Sequence, residues 1–305
     1  MITTAIQLRL RCKGMGRGVL TTFLALMLGE TGIYAQQPLN RDSAALTPES
    51  GSVLLKVDSA RPVARAAMTL QARYGYIITY EDPQYSNDDD LVDAAPTVRK
   101  NYSASRPVSE QKLLVPKAGQ LTVRLPASAS ISSRDLAQVL QELMRVQGAG
   151  AHGGHFRVEQ SGDVFHIVPT EARNHDGNWK PQSSLLDTRI SLPVQDRSER
   201  ELYQAIAVAV SSAAHVSMSV VLNSGIVIGP VNASPKRTNM GATDEPARSV
   251  LMRALAFSTV KRTWVLMHTT EDGSNAFSLN ILDLPAPEPS DAVPAGTSVS
   301  PKLGR

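Results

Sequence analysis

Apolar positions recur at helical spacing in four segments of the chain. Val63, Ala66, Ala67, Leu70 and Tyr74 stand at i, i+3, i+4, i+7 and i+11. Leu136, Val139, Leu140, Leu143 and Met144 form the second set, Leu202, Ala205, Ile206, Ala209 and Val210 the third, and Ala247, Val250, Leu251, Ala254 and Leu255 the fourth. Each set predicts a helix with one buried stripe. Ser198 with Glu201 and Ser132 with Asp135 are placed to form capping boxes. Ser59 and Thr243 are expected to cap the first and fourth helices, with Pro62 and Pro246 in the first turns, where a missing N–H costs little.

Short apolar or alternating runs flank each helix and predict strands. They are Val53 to Val57 and Tyr76 to Tyr80 around the first, and Leu121 to Leu125, Phe156 to Glu159 and Val164 to Val168 around the second. Around the third are Ile190 to Leu192, Val216 to Leu222 and Ile226 to Ile228, and after the fourth Thr263 to His268 and Phe277 to Leu282. Polar turns at Gln160 to Asp163, Asn223 to Gly225 and Glu271 to Gly273 predict hairpins. The unit is β-α-β-β, repeated about four times with an incomplete first copy. The fold class expected is therefore α+β, with repeated β-α-β-β units forming small two-layer sandwiches in two domains. The first domain spans 51–172 with a polar insertion at 81–119, and the second spans 186–283. Linkers are expected at 36–50 and 173–185, and a disordered Pro/Ser/Ala-rich tail at 284–305.

The N-terminus changes the reading of charge. Arg9, Arg11, Lys13 and Arg17 precede an apolar run from Val19 to Leu28, which ends at Gly29-Glu30 before Ile33-Tyr34-Ala35. This is the three-part pattern of a secretory signal over 1–35, cleaved between Ala35 and Gln36. A membrane span needs about 20 apolar residues, and Glu30 interrupts this run after roughly half that length. No stable span is expected after cleavage, and the location expected is periplasmic or secreted. The signal takes four of the 31 Lys/Arg and one of the 28 Asp/Glu, which leaves 27 of each and no net charge. Without a cationic surplus the mature chain is not expected to bind nucleic acid. Cys12, the one cysteine, leaves with the signal, so neither disulfides nor thiolate chemistry are expected.

The run Tyr74-Gly75-Tyr76 followed by Thr79-Tyr80-Glu81-Asp82-Pro83 is similar to a run in uncharacterised secreted bacterial proteins. Those proteins combine it with later blocks, here Phe156-Arg157-Val158, Gly162 to Pro169, Leu186 to Pro193 and Asp244-Glu245-Pro246-Ala247-Arg248. The likeness spans most of 50–283 and implies no known activity. More distantly, a strand, a helix of the Pro-x-x-x-Ala-x-x-x-Leu kind and a second strand resemble the short N-terminal modules of secretins and TonB-dependent receptors. That resemblance implies periplasmic protein binding and assembly without an active site. No barrel-sized segment follows in the sequence, so a receptor or pore role is not expected.

Candidate chemistry is sparse. His152 and His155, with His166 on the following hairpin, are the one histidine cluster, and would bind zinc if their imidazoles converged. The glycines between the first two make a poor ligand frame, and no metal or other cofactor is expected. Asp88-Asp89-Asp90 with Glu81, Asp82 and Asp93 offers hard oxygen ligands, but without the alternation and glycine of a calcium loop it reads as a solvated face. Tyr76 and Tyr80 share one strand face and would stack on sugar rings if exposed, or pack if half-buried. No nucleophile elbow, phosphate loop or dinucleotide fingerprint is present, and no catalytic residue is assigned. The function expected is a non-catalytic protein-interaction or assembly module of the cell envelope, partnered by another envelope protein or by itself. The alternatives are a glycan-binding protein and, third, a hydrolase with paired carboxylates.

Overall fold

The computed structural model describes residues 42–96, 112–117, 119–128, 130–150, 153–223, 236–271 and 274–284. The chain is mixed α and β, with four helices among the described residues. β1 (Ser43–Glu49) and β2 (Ser52–Ser59) form a hairpin, and α1 (Pro62–Tyr74) leads to β3 (Ile77–Glu81). The short strands β4 (Leu91–Asp93) and β5 (Leu113–Pro116) precede β6 (Gly119–Pro126), α2 (Ser133–Gly148), β7 (His155–Ser161), β8 (Val164–Arg173) and β9 (Trp179–Pro181). Then come β10 (Arg189–Ser198), α3 (Glu199–Ala214), β11 (Ser217–Asn223), β12 (Arg237–Pro246), α4 (Ala247–Ala256), β13 (Arg262–Glu271) and β14 (Ser274–Asp283).

The helices follow the apolar stripes. Leu136, Val139, Leu140 and Leu143 are buried on α2, and Leu202, Ile206 and Val210 on α3. Both capping boxes form, at Ser132/Asp135 and Ser198/Glu201. Helix α1 stops at Gly75, whose φ of +73° suits glycine, and its N–H donates to Gln71 O. The other two expected caps do not form. Ser59 Oγ accepts from Arg61 N–H at 3.1 Å, ahead of the helix start at Pro62. Thr243 lies within β12, which runs straight into α4, and the Ala247 N–H is satisfied by Thr188 O at 2.9 Å instead.

Three sheets organise the strands. β1-β2-β6 is antiparallel throughout, and β10-β12 is an antiparallel pair. The large sheet runs β11-β14-β13-β3-β8-β7, with β5 beside β13, β4 beside β5, and β9 beside β8. In it β3 is parallel to β8 and β13, β11 is parallel to β14, and the β7–β8 and β13–β14 hairpins are antiparallel.

Alternation along the strands sends side chains into two cores. Val53, Leu55 and Val57 of β2 and Leu121, Val123 and Leu125 of β6 meet α1, α2 and Ile78, Tyr80, Phe165, Ile167 and Val265 of the large sheet. Ile190, Leu192, Met240 and Ala242 of β10 and β12 meet α3, α4 and Trp264, Leu266, Phe277, Leu279 and Ile281. Strand β13 thus feeds Val265 to one core and Trp264 and Leu266 to the other. Each helix pair lies between the large sheet and a small one, so each core is built of three layers rather than the two expected. The unbroken buried run Val164–Pro169 reflects this, because both faces of β8 are covered.

Several segments read as polar connections carry strands. β1 occupies seven of the fifteen residues of the expected linker 36–50, and β9 lies within 173–185. The expected insertion 81–119 runs from the end of β3 to the start of β6 and contains β4 and β5, with 97–111 outside the described residues. The expected division at 173–185 falls within a continuous sheet, because Val265 and Leu266 of β13 pair with Tyr80 and Glu81 of β3. β12 was not expected as a strand. It is polar apart from Met240 and Ala242, and its Gly241 admits the bulged β10: a Cβ there would sit 2.9 Å from both Leu192 O and Val194 N. The signal 1–35, the strand expected at Ile226 to Ile228 and the tail from 285 lie outside the described residues.

Candidate functional site

The richest polar constellation grows from the C-terminal end of β3. Strand alternation points Thr79 and Glu81 to the α4 side and Tyr80 and Asp82 to the α1 side, so two adjacent carboxylates enter two different interiors. Both are buried. An unpaired buried carboxylate is costly, and each is met by an arginine.

On the α1 side, Asp82 Oδ2 accepts from Arg61 Nε at 2.5 Å and from His268 N–H at 2.8 Å, and Oδ1 accepts from Tyr80 OH at 2.8 Å. Arg61 Nη2 also donates to His268 O at 2.6 Å. Burial and the adjacent Asp82 push the Tyr80 hydroxyl well above its usual range. His268 Nδ1 lies 3.3 Å from the Tyr85 N–H and accepts from it, which places the ring proton on Nε2 facing Asn275 Oδ1. Burial lowers the pKa of that imidazole, against the pull of Asp82.

On the α4 side, Glu81 Oε1 accepts from Arg248 Nε at 3.1 Å and Nη2 at 2.9 Å, and Oε2 accepts from Ser184 OH. Arg248 Nη1 reaches Glu159 at 2.9 Å and Asp187 at 3.1 Å. Burial raises the Glu81 pKa, and Arg248 opposes the rise. Thr79 Oγ1 and His166 Nδ1 are 2.8 Å apart, and the His166 ring stacks on Trp264. Burial first and Arg248 second lower the His166 pKa to about 4, so the imidazole is neutral at pH 7.

A cleft of about 270 Å³ opens beside the Asp82 cluster, lined among others by Arg61, Tyr85, Asp90, Lys117, Gln120 and Phe156. Its charged groups are mostly engaged. Arg61 is held by Asp82, and Asp90 binds Arg173 Nε at 3.0 Å and the Gly153 N–H at 3.3 Å. The cleft can admit a small polar group, but among the described residues it aligns no nucleophile with a base. The Thr79–His166 contact is buried out of reach of substrate.

Among the described residues, those singled out in the sequence do not converge. His155 bonds Glu171 at 2.8 Å and stacks on Trp179, with ring centroids 3.9 Å apart. His166 sits opposite Glu159, four positions along β7 from His155, which is about 13 Å at 3.3 Å per residue. His152 lies outside the described residues, and no group of three potential ligands is found among those described. Tyr80 is 1% exposed, and the half-buried Tyr76 packs edge-on against Phe165 while donating to Ile131 O at 3.0 Å. Packing therefore uses both rings, and they form no stacking platform. Glu81, Asp82 and Asp90 do not make a solvated acidic face, since each faces an arginine from a distant segment. Arg61, Arg173, Arg248 and Ser184 carry the site without any local signal. The hint available in the sequence was a pair of acids directly continuing an apolar strand, a position that demands counter-charges.

No helix among the described residues is long and apolar enough to cross a membrane. Comparison with protein-family models, with curated proteins and with solved structures finds no match to this chain.

Proposed function

We propose that this chain is an exported, non-catalytic interaction or assembly module of the cell envelope, acting through sheet edges. The observation that carries this reading is the division between spent and available groups. The interior carboxylates that sequence chemistry would recruit are tied to arginines, whereas β7 and β11 each have a partner on one side alone among the described residues. An unpaired edge presents N–H and C=O groups to an added strand. Export rests on the basic, apolar and small-residue pattern that ends at Ala35.

We read the chain further as two copies of a β-α-β-β-α-β-β unit, each a β-α-β repeat, lacking the last strand, followed by a β-α-β-β repeat. Supporting this, β2–β6 and β10–β12 are both antiparallel, and the triples β3-β8-β7 and β11-β14-β13 share one order and one set of senses. This order also fits the resemblance to secretin and TonB-receptor modules, whose role is assembly.

The test compares edge with cleft. The protein is isolated from envelopes of expressing cells, and its bound partners or sister copies are recovered by cross-linking. Ser219→Lys on β11 or Arg157→Pro on β7 should remove those contacts, while Lys117→Met and Gln120→Ala in the cleft should leave them. Loss with the cleft variants alone would overturn the proposal.

A further inference from the structure

Resting on that reading, we infer that the partner of the β11 edge is the β7 edge of a second copy of this chain, added in parallel and head to tail. The junction inside the chain supplies the template. β13 closes the triple β11-β14-β13 and β3 opens the triple β3-β8-β7, and these two strands join. By position in its triple, β7 matches β13 and β11 matches β3. The two strands that lack an outer neighbour among the described residues are therefore the counterparts of the two that already pair.

Directions agree with this. β3, β8 and β13 run one way, and β7, β14 and β11 the other. A second copy in the same orientation then sets its β7 parallel to β11, as β13 is to β3. The first helix pair covers one face of the large sheet and the second pair the other. Adding copies along the sheet continues that alternation, so neighbouring helix layers do not collide.

The register follows from the hairpins. Leu266 precedes Glu271, which pairs with Ser274, by five residues, and Phe156 precedes Ser161, which pairs with Val164, by five as well. Thr79 pairs with His166 two residues after Val164, and Ser217 pairs with Ala276 two residues after Ser274. The intrachain pairs Val265–Tyr80 and Leu266–Glu81 therefore translate into His155–Met218 and Phe156–Ser219 between chains. The receiving edge is open in composition too. Ser217–Asn223 contains no charged residue and no proline, the devices that protect edge strands. Such a contact is heterologous, so each added copy exposes a fresh edge.

The test exploits the single cysteine of the sequence, Cys12. In full-length chains carrying Cys12→Ser, His155→Cys and Ser219→Cys variants are isolated from the envelope and treated with a short bis-maleimide, separately and mixed. A cross-linked dimer is expected from the mixture and none from either variant alone. The unlabelled chain should sediment as species that grow with concentration, and Ser219→Lys should return it to monomer. Dimers from a single variant, an uncross-linked mixture or a wild type that stays monomeric would each overturn the inference. If self-association is absent yet edge variants still lose an envelope protein, the interaction reading stands and self-assembly falls. If both are absent, both fall.

Discussion

At the residue scale, the fold depends on charges it has taken out of water. Glu81 is about 1% exposed at its side chain and Arg248 11%, so neither ion is solvated if the other is removed. Arg248→Met should therefore cost about 3–5 kcal/mol, whereas adding Glu81→Leu should restore most of the loss, because an apolar replacement of a buried pair is often neutral. Urea unfolding of the single and double variants measures this. His166 gives a pH signature. Its pKa falls from 6.5 to about 4 on folding, so the unfolded chain binds its proton first as pH drops. The neutral imidazole supports folding above pH 6.5, and that support is lost between pH 6.5 and about 4, amounting to about 3 kcal/mol. Melting curves should show the wild type losing this increment while His166→Asn keeps it. None of these pairings was legible in the sequence. Arg248 is 167 positions from Glu81, and only the β3–β13 junction brings α4 beside β3.

At the element scale, legibility followed from whether the signal was local. All four helices could be read from their stripes, and the caps at Ser132 and Ser198 formed because Asp135 and Glu201 stand three residues on. The caps assigned to Ser59 and Thr243 failed because these residues stand two and three positions ahead of the actual N-caps, Arg61 and Pro246. Ser198→Ala should accordingly cost about 1 kcal/mol. Thr243→Ala should cost close to nothing, since Thr188 O already accepts the Ala247 N–H. Paired thermal melts distinguish the two. Strands β1 and β12 were invisible for a related reason. The side chains of β1 are largely exposed and those of β12 mostly polar, and each is a strand because β2 or β10 offers it a ladder.

At the scale of the whole described chain, the α+β class and the order of the four helices were readable, while the stacking of the layers was not. Local patterns say which face of an element is apolar, but not that one sheet will be covered on both faces by different helix pairs. The same limit hid the site. Tyr76, Tyr80 and the histidines drew attention by clustering in sequence, yet both tyrosines pack into one core, His166 is buried on the other face of the sheet against Trp264, and the half-buried His155 stacks on Trp179. Among the described residues, the strands with a partner on one side alone are those at the sheet's two ends, β7 and β11, the basis of the interaction reading. Hydrogen exchange read by mass spectrometry, on the envelope-isolated protein with and without envelope extract or at low and high concentration, tests this most directly. The account predicts new amide protection in His155–Ser161 or Ser217–Asn223, with Arg61, Lys117 and Gln120 around the cleft unchanged. Protection gained at the cleft, with both edge strands exchanging as before, would contradict it.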